Sequence, residues 1–481
     1  MSFTTAERPA TALDVLKDNF EAFAIAIVMA LVIKHFCVEA FRIPTGSMEP
    51  TLLGEDGGRR DGDRILVDKF AYLFHGPERW DVIVFRYPLD QSRNFVKRVA
   101  GLPGETIRIR DGDLWIREAA GEPFHIAVKR RSVREELYFG VYPPATPPKE
   151  KEDGSPDGPF GTERWWHGDP ENNAWRVESL SRFEFGGGPS AALVYAPAIG
   201  SASTFRDAAS YTGQSVRDVR VAARITADSA AATSLRLSWR ADAEVLIELR
   251  LTSAKGGEDG SILVVRRQDR ELVRQYLDAT LEPGHPVDVE LEAVDGEAHA
   301  WIDGREVAVL TQGRTIEETW SASQRLALTA EGGALRVEGL RIHRDLAYTS
   351  DDMGTWDAEG GLRVPADSWF MLGDNTGSSS DSRKWKREGL KLKDGRTIWW
   401  DNNPGSRDEG PRLDRDGDER SVTDVDGIRR HWLRSDEVDE VPTEHVPFVR
   451  RSQVVGRAFF IFWPLFTDFP AGFPHRMRMI H

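Results

Sequence analysis

The sequence has only one cysteine, Cys37, among 481 residues. No intrachain disulfide can therefore form, and a zinc or iron–sulfur site built on several cysteines is excluded. Basic residues are also in deficit, because 63 lysines and arginines against 78 aspartates and glutamates give a net charge of −15. This balance argues against a broad nucleic-acid-binding surface. With 40% hydrophobic and 29% charged residues, a chain of this length predicts two or three folded domains.

Long apolar runs are scarce as well. The apolar segment at residues 20–38 has an uncharged core of only 12 residues, 22–33, which as a helix measures about 18 Å against a hydrocarbon layer of about 30 Å. Spanning a membrane would require the helix to extend through Val38, with Lys34 reaching toward the headgroups. We predict a membrane anchor helix within residues 1–40. A cleaved signal peptide and a buried soluble helix are the alternatives.

Residues 41–142 alternate apolar and polar positions in short runs separated by glycine, proline and aspartate turns. This pattern predicts an all-β region. The predicted strands cover residues 64–68, 81–85, 106–109 and 114–116.

A proline-rich, charged linker is predicted at residues 143–171. After it, residues 172–345 show period-two patterns that predict an independently folding antiparallel β-sandwich projecting from the rest of the chain. Its predicted strands cover residues 219–225, 235–239, 245–251, 287–291 and 335–342, with a hairpin at 299–307. The pattern is similar to a concanavalin/laminin-G-type jelly roll. Any ligand of this insert is left open.

Residues 346–481 are predicted to complete the first β domain. They contain a polar insertion near residues 387–446 and a short apolar run at 454–463. Since Arg457 and Pro464 limit that run, it predicts a buried closing strand and not a second membrane span.

Three motif blocks carry the chemistry: residues 41–52 around Ser47, residues 95–105 around Lys97, and residues 373–383. In this order they resemble the type I signal peptidase family, membrane-anchored serine proteases that use a Ser/Lys dyad. The resemblance covers about a third of the chain. It implies a signal-peptidase-type β catalytic domain that the sandwich interrupts.

The resemblance makes Ser47 the nucleophile and Lys97 the general base. A serine hydroxyl must lose its proton as it attacks, and the sequence has no Gly-x-Ser-x-Gly motif to suggest another serine. A lysine can serve as the base if burial lowers its pKa. Because Phe95, Val96 and Val99 surround Lys97, strand alternation would turn it toward an apolar face. The alternative is a surface lysine in a basic pair.

The family pattern also implies supporting residues. The oxyanion hole would consist of the Thr45 hydroxyl and the Ser47 N–H. Ser379 would hydrogen-bond the Lys97 amine, Asp381 would pair with Arg383, and Asp374 would pair with Arg98. Shallow pockets for small substrate side chains would be lined by Phe41, Ile43, Pro44, Met48, Leu52, Phe95 and Val96. The chain departs from the family at Thr376 and Gly377, where an arginine followed by a short polar residue is usual.

These implications predict a serine endopeptidase that removes signal peptides from exported preproteins without a cofactor. It would sit in the bacterial cytoplasmic membrane with a single span and an extracytoplasmic catalytic domain. Two alternatives are an inactive membrane-anchored glycan- or protein-binding protein and a self-cleaving Ser/Lys regulator. The acidic segment 414–418, followed by Asp424 and Asp426, has the oxygen density of a calcium loop but lacks the expected glutamate. We therefore predict a solvated acidic loop and no metal site.

Overall fold

The computed structural model describes residues 12–32, 37–55, 61–143, 165–168, 174–197, 199, 216–240, 245–254, 259–268, 270–317, 324–350, 356, 360–403, 410–413, 417–463 and 477–481. Within these ranges the protein is mainly β, as the sequence predicts, with 33 strands and two α-helices.

The first part of the chain contains both helices and eight strands. They are α1 (Ala12–Val32), β1 (Val38–Arg42), β2 (Arg64–Asp68), β3 (Val82–Tyr87), β4 (Asp90–Gly101), β5 (Thr106–Arg110), β6 (Asp113–Arg117), β7 (His125–Ile126), α2 (Arg131–Leu137) and β8 (Phe139–Tyr142). The four predicted strands are confirmed as β2, β3, β5 and β6. Helix α2 is an exception to the all-β expectation; it buries Val133 and Leu137 in the core of this region. Packing of these two side chains at helical spacing outweighs the weak local signal.

The N-terminal helix differs from its prediction. Helix α1 ends at Val32, residues 33–36 lie outside the described residues, and Val38 begins strand β1, where it pairs with Asp68 of β2. The expected helical extension through Val38 is therefore wrong, because the backbone there is committed to a sheet. Among the described residues, no helix combines the length and the apolar composition that crossing a bilayer requires.

The insert forms two antiparallel sheets that face each other. Its strands are β9 (Trp166–Gly168), β10 (Trp175–Ser179), β11 (Arg182–Phe185), β12 (Gly188–Tyr195), β13 (Val219–Ala227), β14 (Thr233–Arg240), β15 (Val245–Thr252), β16 (Ile262–Arg267), β17 (Arg270–Tyr276), β18 (Pro286–Val294), β19 (Glu297–Ile302), β20 (Arg305–Thr311), β21 (Arg325–Gly332) and β22 (Leu335–Arg344). One sheet has the order β10-β11-β22-β13-β18-β19-β20 and the other β17-β16-β15-β14-β21-β12-β9. Alternating residues of both sheets fill one shared core. The predicted strands and the β19–β20 hairpin are confirmed.

Two strands outside the predicted limits of the insert belong to its sheets. Strand β8 pairs with β22, and β9 pairs with β12. The sandwich therefore begins inside the segment assigned to the catalytic domain and the linker. Most of that linker, residues 144–164 and 169–171, lies outside the described residues.

The remaining strands return to the first domain and build the polar insertion. They are β23 (Leu362–Arg363), β24 (Ser368–Leu372), β25 (Lys386–Leu392), β26 (Thr397–Asp401), β27 (Arg412–Leu413), β28 (Glu419–Thr423), β29 (Arg429–Leu433), β30 (Glu437–His445), β31 (Phe448–Arg450), β32 (Val454–Trp463) and β33 (Arg478–Met479). The main sheet has the order β1-β2-β32-β3-β4-β24-β31, with β33 beside β32. The predicted closing strand is confirmed as β32, between β2 and β3.

The polar insertion is more ordered than the sequence suggests. Strands β25, β26 and β30 form one three-stranded sheet, and β27, β28 and β29 form another. They share a small core that includes Trp400, Val422 and Trp432. Strands β28 and β29 each bury one apolar residue, and β25 and β26 each bury only one alternating pair, so the period-two signal is short in this charged sequence and these strands escaped prediction.

The insert packs closely on the first β domain. Helix α2 lies against the insert's first sheet, where Arg134 is 3.3 Å from Glu292 and the Arg131 guanidinium lies 3.4 Å from the ring centre of Trp301. Nearby, the buried Lys129 pairs with Asp295 and, at 2.8 Å, with Asp345. This buried charged junction contrasts with the projecting module that the sequence suggests.

Candidate active site

Ser47 lies in a single 3₁₀ turn, Gly46–Met48, between β1 and β2. Met48 holds the turn in place, since its side chain is buried in the core beneath it. Ser47 itself remains partly exposed. The turn thus presents a serine hydroxyl at the surface from a well-packed support.

Lys97 lies in strand β4, opposite Ile83 of β3. Its side chain is 97% shielded from solvent, and its Nζ lies 2.6 Å from the Ser47 Oγ. The ring centre of Phe95, two residues earlier on the same face, is 5.7 Å from Nζ. The structure therefore brings the two predicted dyad residues together in an apolar setting.

The environment of Lys97 favours its neutral form. Burial lowers the pKa of Lys97 to about 8, because water no longer stabilises the ammonium ion. The charges of Asp381 and Asp374 oppose this shift, and that of Arg383 adds to it. A neutral amine within hydrogen-bond distance of a serine hydroxyl can accept its proton.

The loop at residues 373–383 holds the turn that contains Ser47 in place through hydrogen bonds and close packing. The backbone N–H of Asn375 donates to the Ser47 carbonyl at 3.1 Å, and its Nδ2 donates to the Gly46 carbonyl at 3.0 Å. A Cβ at Gly373 would lie 2.1 Å from the Ser379 Oγ and 2.6 Å from the Ser47 carbonyl oxygen. Only glycine permits so close an approach.

Both predicted ion pairs are present in that loop. Arg383 donates to Asp381 from Nε at 2.9 Å and from Nη2 at 2.8 Å, and both residues are fully buried. Burial by itself raises the pKa of Asp381, but the charge and hydrogen bonds of Arg383 and the backbone hydrogen bond from the Gly373 N–H hold that pKa below its usual range. Asp381 is therefore an anion close to Lys97.

On the opposite side of β4, Arg98 makes the second pair. It donates to both carboxylate oxygens of Asp374 at 2.9 Å, and its side chain is fully buried. It also donates to the Trp80 carbonyl at 2.8 Å and to Glu136 of helix α2 at 3.4 Å. The buried guanidinium thus joins the active-site loop to α2.

Two hydroxyls beside the dyad differ in their contacts. The Thr45 Oγ1 lies 3.4 Å from the Ser47 Oγ, so this hydroxyl borders the place where a substrate carbonyl would react. The buried Ser379 Oγ has no hydrogen-bond partner among the described residues. The predicted bond from Ser379 to Lys97 is therefore absent, because Ser379 lies against Gly373 while the amine is directed at Ser47.

A cleft of about 590 Å³ opens beside the dyad. Six of the seven residues predicted to contact substrate line it: Phe41, Ile43, Pro44, Met48, Phe95 and Val96. Leu52 does not line it; its side chain is fully buried in the core under the serine turn. The role of Leu52 is packing, which corrects its assignment as a substrate contact.

Sequence reasoning missed the polar end of this cleft. Tyr87 stacks on Phe95 with ring centres 4.3 Å apart, and its hydroxyl donates to Asp401 at 3.2 Å. Asn403 donates to the Tyr87 oxygen at 2.8 Å, and Arg93 also lines the cleft. Tyr87 follows Phe85 by two residues, so alternation offered a signal for it. No pattern in the polar insertion pointed to Asp401 or Asn403.

The calcium alternative rests on residues that the structure covers only in part. Residues 414–416 lie outside the described ranges. Asp424 accepts hydrogen bonds from the backbone N–H groups of Asp426 and Ile428 and pairs with Arg430 at 2.5 Å. Its oxygens thus stabilise a turn.

Comparison with known proteins gives matches over the N-terminal part of the chain. Residues 16–153 match the family described as signal peptidase, peptidase S26. The chain is 43% identical over 105 residues to signal peptidase I of Pseudomonas aeruginosa, covering 19% of this chain and 34% of that protein. It is 38% identical over 104 residues to probable signal peptidase I-1 of Synechocystis sp., covering 20% and 50%. The chain thus spans between a third and a half of the length of these relatives.

Solved structures also match the chain at low sequence identity. The carbohydrate-binding module CBM66 from Bacillus subtilis is 10% identical, and the match covers 36% of this chain and 92% of that one with a TM-score of 0.25. The carbohydrate recognition domain of Emp46p is 9% identical, with 42% and 95% covered and a TM-score of 0.27.

Proposed function

We propose that the protein is a membrane-bound serine endopeptidase that removes signal peptides from exported preproteins, since its residues 16–153 match the family described as signal peptidase, peptidase S26. The observation that carries the proposal is the 2.6 Å contact between the Ser47 Oγ and the buried Lys97 Nζ. An inactive binding protein would have no need for a desolvated lysine held against a partly exposed serine.

In the proposed reaction, the Ser47 Oγ attacks the carbonyl carbon of the scissile peptide bond as its proton passes to the neutral Lys97 amine. The Ser47 N–H and the Thr45 hydroxyl stabilise the oxyanion that forms. When the C–N bond breaks, the Lys97 ammonium returns the proton to the leaving amine. Lys97 then deprotonates a water molecule, which hydrolyses the serine ester and restores Ser47.

The cleft supports a preference for small apolar side chains. Phe41, Pro44 and Val96, which line the cleft and are partly or fully exposed, form a shallow apolar surface beside the dyad. Such a surface accommodates alanine-like residues one and three positions before the cleaved bond. The whole protein's substrates would then be preproteins with this signature.

The dyad is tested with purified protein and a signal-bearing preprotein. Ser47→Ala and Lys97→Ala should each reduce cleavage by at least about 10³-fold, and the double variant should be no worse than either, because the two residues act as a unit. Ser92→Ala, at an exposed position of the same strand as Lys97, is the matched control. Substantial cleavage by either single variant would rule out the mechanism. Ser47-dependent cleavage confined to the chain's own backbone would favour the self-cleaving regulator.

Membrane attachment is proposed through helix α1. Its Phe20, Phe23, Val28 and Met29 are each more than half exposed to solvent, and a lipid environment would cover such side chains. The N-terminus would be cytoplasmic and the catalytic region extracytoplasmic. Added protease should then digest that region in intact spheroplasts. Complete protection of the catalytic region from the protease would contradict this orientation. Release of the protein into the supernatant when membranes are washed with alkaline buffer would contradict its integration into the membrane.

A further inference from the structure

The segment that leaves the insert reaches the active-site loop. Strand β22 ends at Arg344, and Thr349 follows five residues later. The Arg383 Nη1 donates to the Thr349 carbonyl at 3.1 Å and to its Oγ1 at 3.2 Å. Arg383 is the cation that holds Asp381 beside Lys97, so the insert's exit segment contacts the support of the dyad.

The exit segment is itself fixed at several points. The Asp345 N–H donates to the Asp218 carbonyl of the insert at 3.0 Å, and the Asp345 carboxylate pairs with Lys129 of the catalytic region at 2.8 Å. The Tyr348 N–H donates to the Gly112 carbonyl at 2.9 Å. Asp345, Lys129 and Tyr348 are all buried. Buried pairs of this kind resist displacement, because separating them leaves uncompensated charge.

Thr376 also accepts hydrogen bonds from Arg383. Its Oγ1 accepts from Nη1 at 2.8 Å, and its carbonyl accepts from Nη2 at 3.0 Å. This is the position where the resembling family usually has an arginine. Nη1 therefore contacts the loop on one side and the insert's exit on the other, and the two threonines hold the guanidinium in register with Asp381.

From this arrangement we propose that Thr349 is a positioning residue for the Ser/Lys dyad, so that the docked insert is a working part of the active site. The inference deepens the proposed function and depends on it for its catalytic consequence. Thr349 acts through Arg383 and Asp381 and does not touch substrate. The insert would thus influence catalysis through the geometry at its exit.

The charged groups that face Lys97 determine in which direction its pKa should move when the Thr349 contact is lost. Asp381 and Asp374 stabilise its ammonium form, and Arg383 destabilises that form. Arg98 pairs with Asp374 on the far side of β4. If Arg383 loses its Thr349 hydroxyl contact and loosens, Asp381 is less neutralised and the pKa of Lys97 rises. Less of the enzyme then holds a neutral base at pH 7.

The test replaces Thr349 by valine, which has nearly the same shape but no hydroxyl, and by serine, which keeps the hydroxyl. For Thr349→Val, we expect kcat/KM at pH 7 to fall by about threefold to tenfold, the loss that corresponds to the net contribution of one ordinary intramolecular hydrogen bond. The acid limb of the pH profile should move upward, and Thr349→Ser should restore both values. Arg224→Gln, which breaks an exposed ion pair with Asp288 inside the insert, is the control for general loosening.

A second measurement separates this inference from the proposed function. In the Ser47→Ala background, the titration of Lys97 can be followed by NMR after ¹³C-dimethylation, with the signal assigned by its loss in Lys97→Met. An upward shift of this titration in Thr349→Val, reversed in Thr349→Ser, supports the positioning role whatever the activity. An unchanged titration overturns it, even if Ser47-dependent cleavage is established. Equal shifts in Thr349→Val and Arg224→Gln would overturn it as well.

Discussion

The Lys97 amine and the Ser47 hydroxyl lie 2.6 Å apart, and the surrounding residues determine whether the amine can accept the proton of the hydroxyl. Water is excluded from Lys97, while the two anions nearest to it, Asp381 and Asp374, are each neutralised by a buried arginine. Without those arginines the anions would stabilise the ammonium form of Lys97, and less of the neutral amine that the proposed mechanism requires would be present. At the scale of single residues, the site therefore depends on pairing the acids as much as on burying the lysine.

The first prediction concerns the pH profile. The pKa of Lys97 is lowered to about 8, and the base must be neutral in free enzyme. Cleavage measured as kcat/KM should therefore rise with pH through a midpoint near 8 and fall about tenfold per pH unit well below it. A profile that is flat between pH 6 and 9 would contradict Lys97 as the base.

The second prediction concerns stability. The folded-state pKa of Lys97 lies below the unfolded value of about 10.4, so the folded state binds fewer protons between these two values. The destabilisation that results from burying Lys97 has its full value below pH 8, where the folded protein must hold the ammonium ion, and it disappears as the pH rises to about 10.4. Lys97→Met should therefore unfold with a free energy up to about 3 kcal/mol higher at pH 7. Urea titrations of the unmodified protein and of Lys97→Met should show this difference in the free energy of unfolding at pH 7 and a smaller difference at pH 10. An equal difference at both pH values would contradict the lowered pKa of Lys97.

At the scale of elements, Trp385 anchors the polar insertion on the sheet that carries Lys97. Trp385 immediately precedes β25, is fully buried, and packs on Phe85, Tyr87 and Phe95 with ring centres 5.4 to 6.2 Å away. These rings support the floor of the cleft. The insertion therefore contributes to the shape of the site through packing as well as through the polar side chains at the end of β26.

The third prediction follows from this anchor. Trp385→Ala should lower the free energy of unfolding by about 3–5 kcal/mol, the range for a large buried aromatic residue, and should weaken substrate binding because Phe95 loses support. Trp399→Ala, at a partly exposed position on the same sheet, should have a smaller effect. Denaturant unfolding and KM measured side by side provide the check. Equal effects of the two substitutions would show that Trp385 has no special anchoring role.

At the scale of the whole molecule, two β structures meet across a charged and buried junction. Arg134 of α2 faces Glu292 of the insert, and Lys129 faces Asp295 and Asp345. All five side chains are at least 90% shielded from solvent. A junction of this kind differs from a flexible tether, because neither half can bury its charges alone.

The fourth prediction revises the expectation that the insert folds and acts apart from the catalytic region. A short Gly/Ser bridge in place of residues 172–345 removes the partners of Lys129 and Arg134. We expect the shortened protein to be destabilised by several kcal/mol, about 3–5 for each broken buried pair, and to lose most cleavage activity. Adding Lys129→Met and Arg134→Leu should recover part of its thermal stability. Full activity of the simple deletion would show that the junction is dispensable.

The sequence by itself determined the features whose signals are local. Period-two alternation identified strands in both domains. The three motif blocks, read together in their order, resemble the signal peptidase family, and that resemblance predicted that Ser47, Lys97, Asp374 and Asp381 belong to one site. The tertiary structure decided the role of each residue that depends on which partner its side chain or backbone contacts. Leu52 proved to be core because the serine turn folds over it, and Val38 joined a sheet because β2 pairs with it. Ser379 lies against Gly373, and Thr349 meets Arg383 across 34 residues of chain. Such contacts leave no periodic trace in a single sequence, because their geometry is set by how the segments pack in three dimensions.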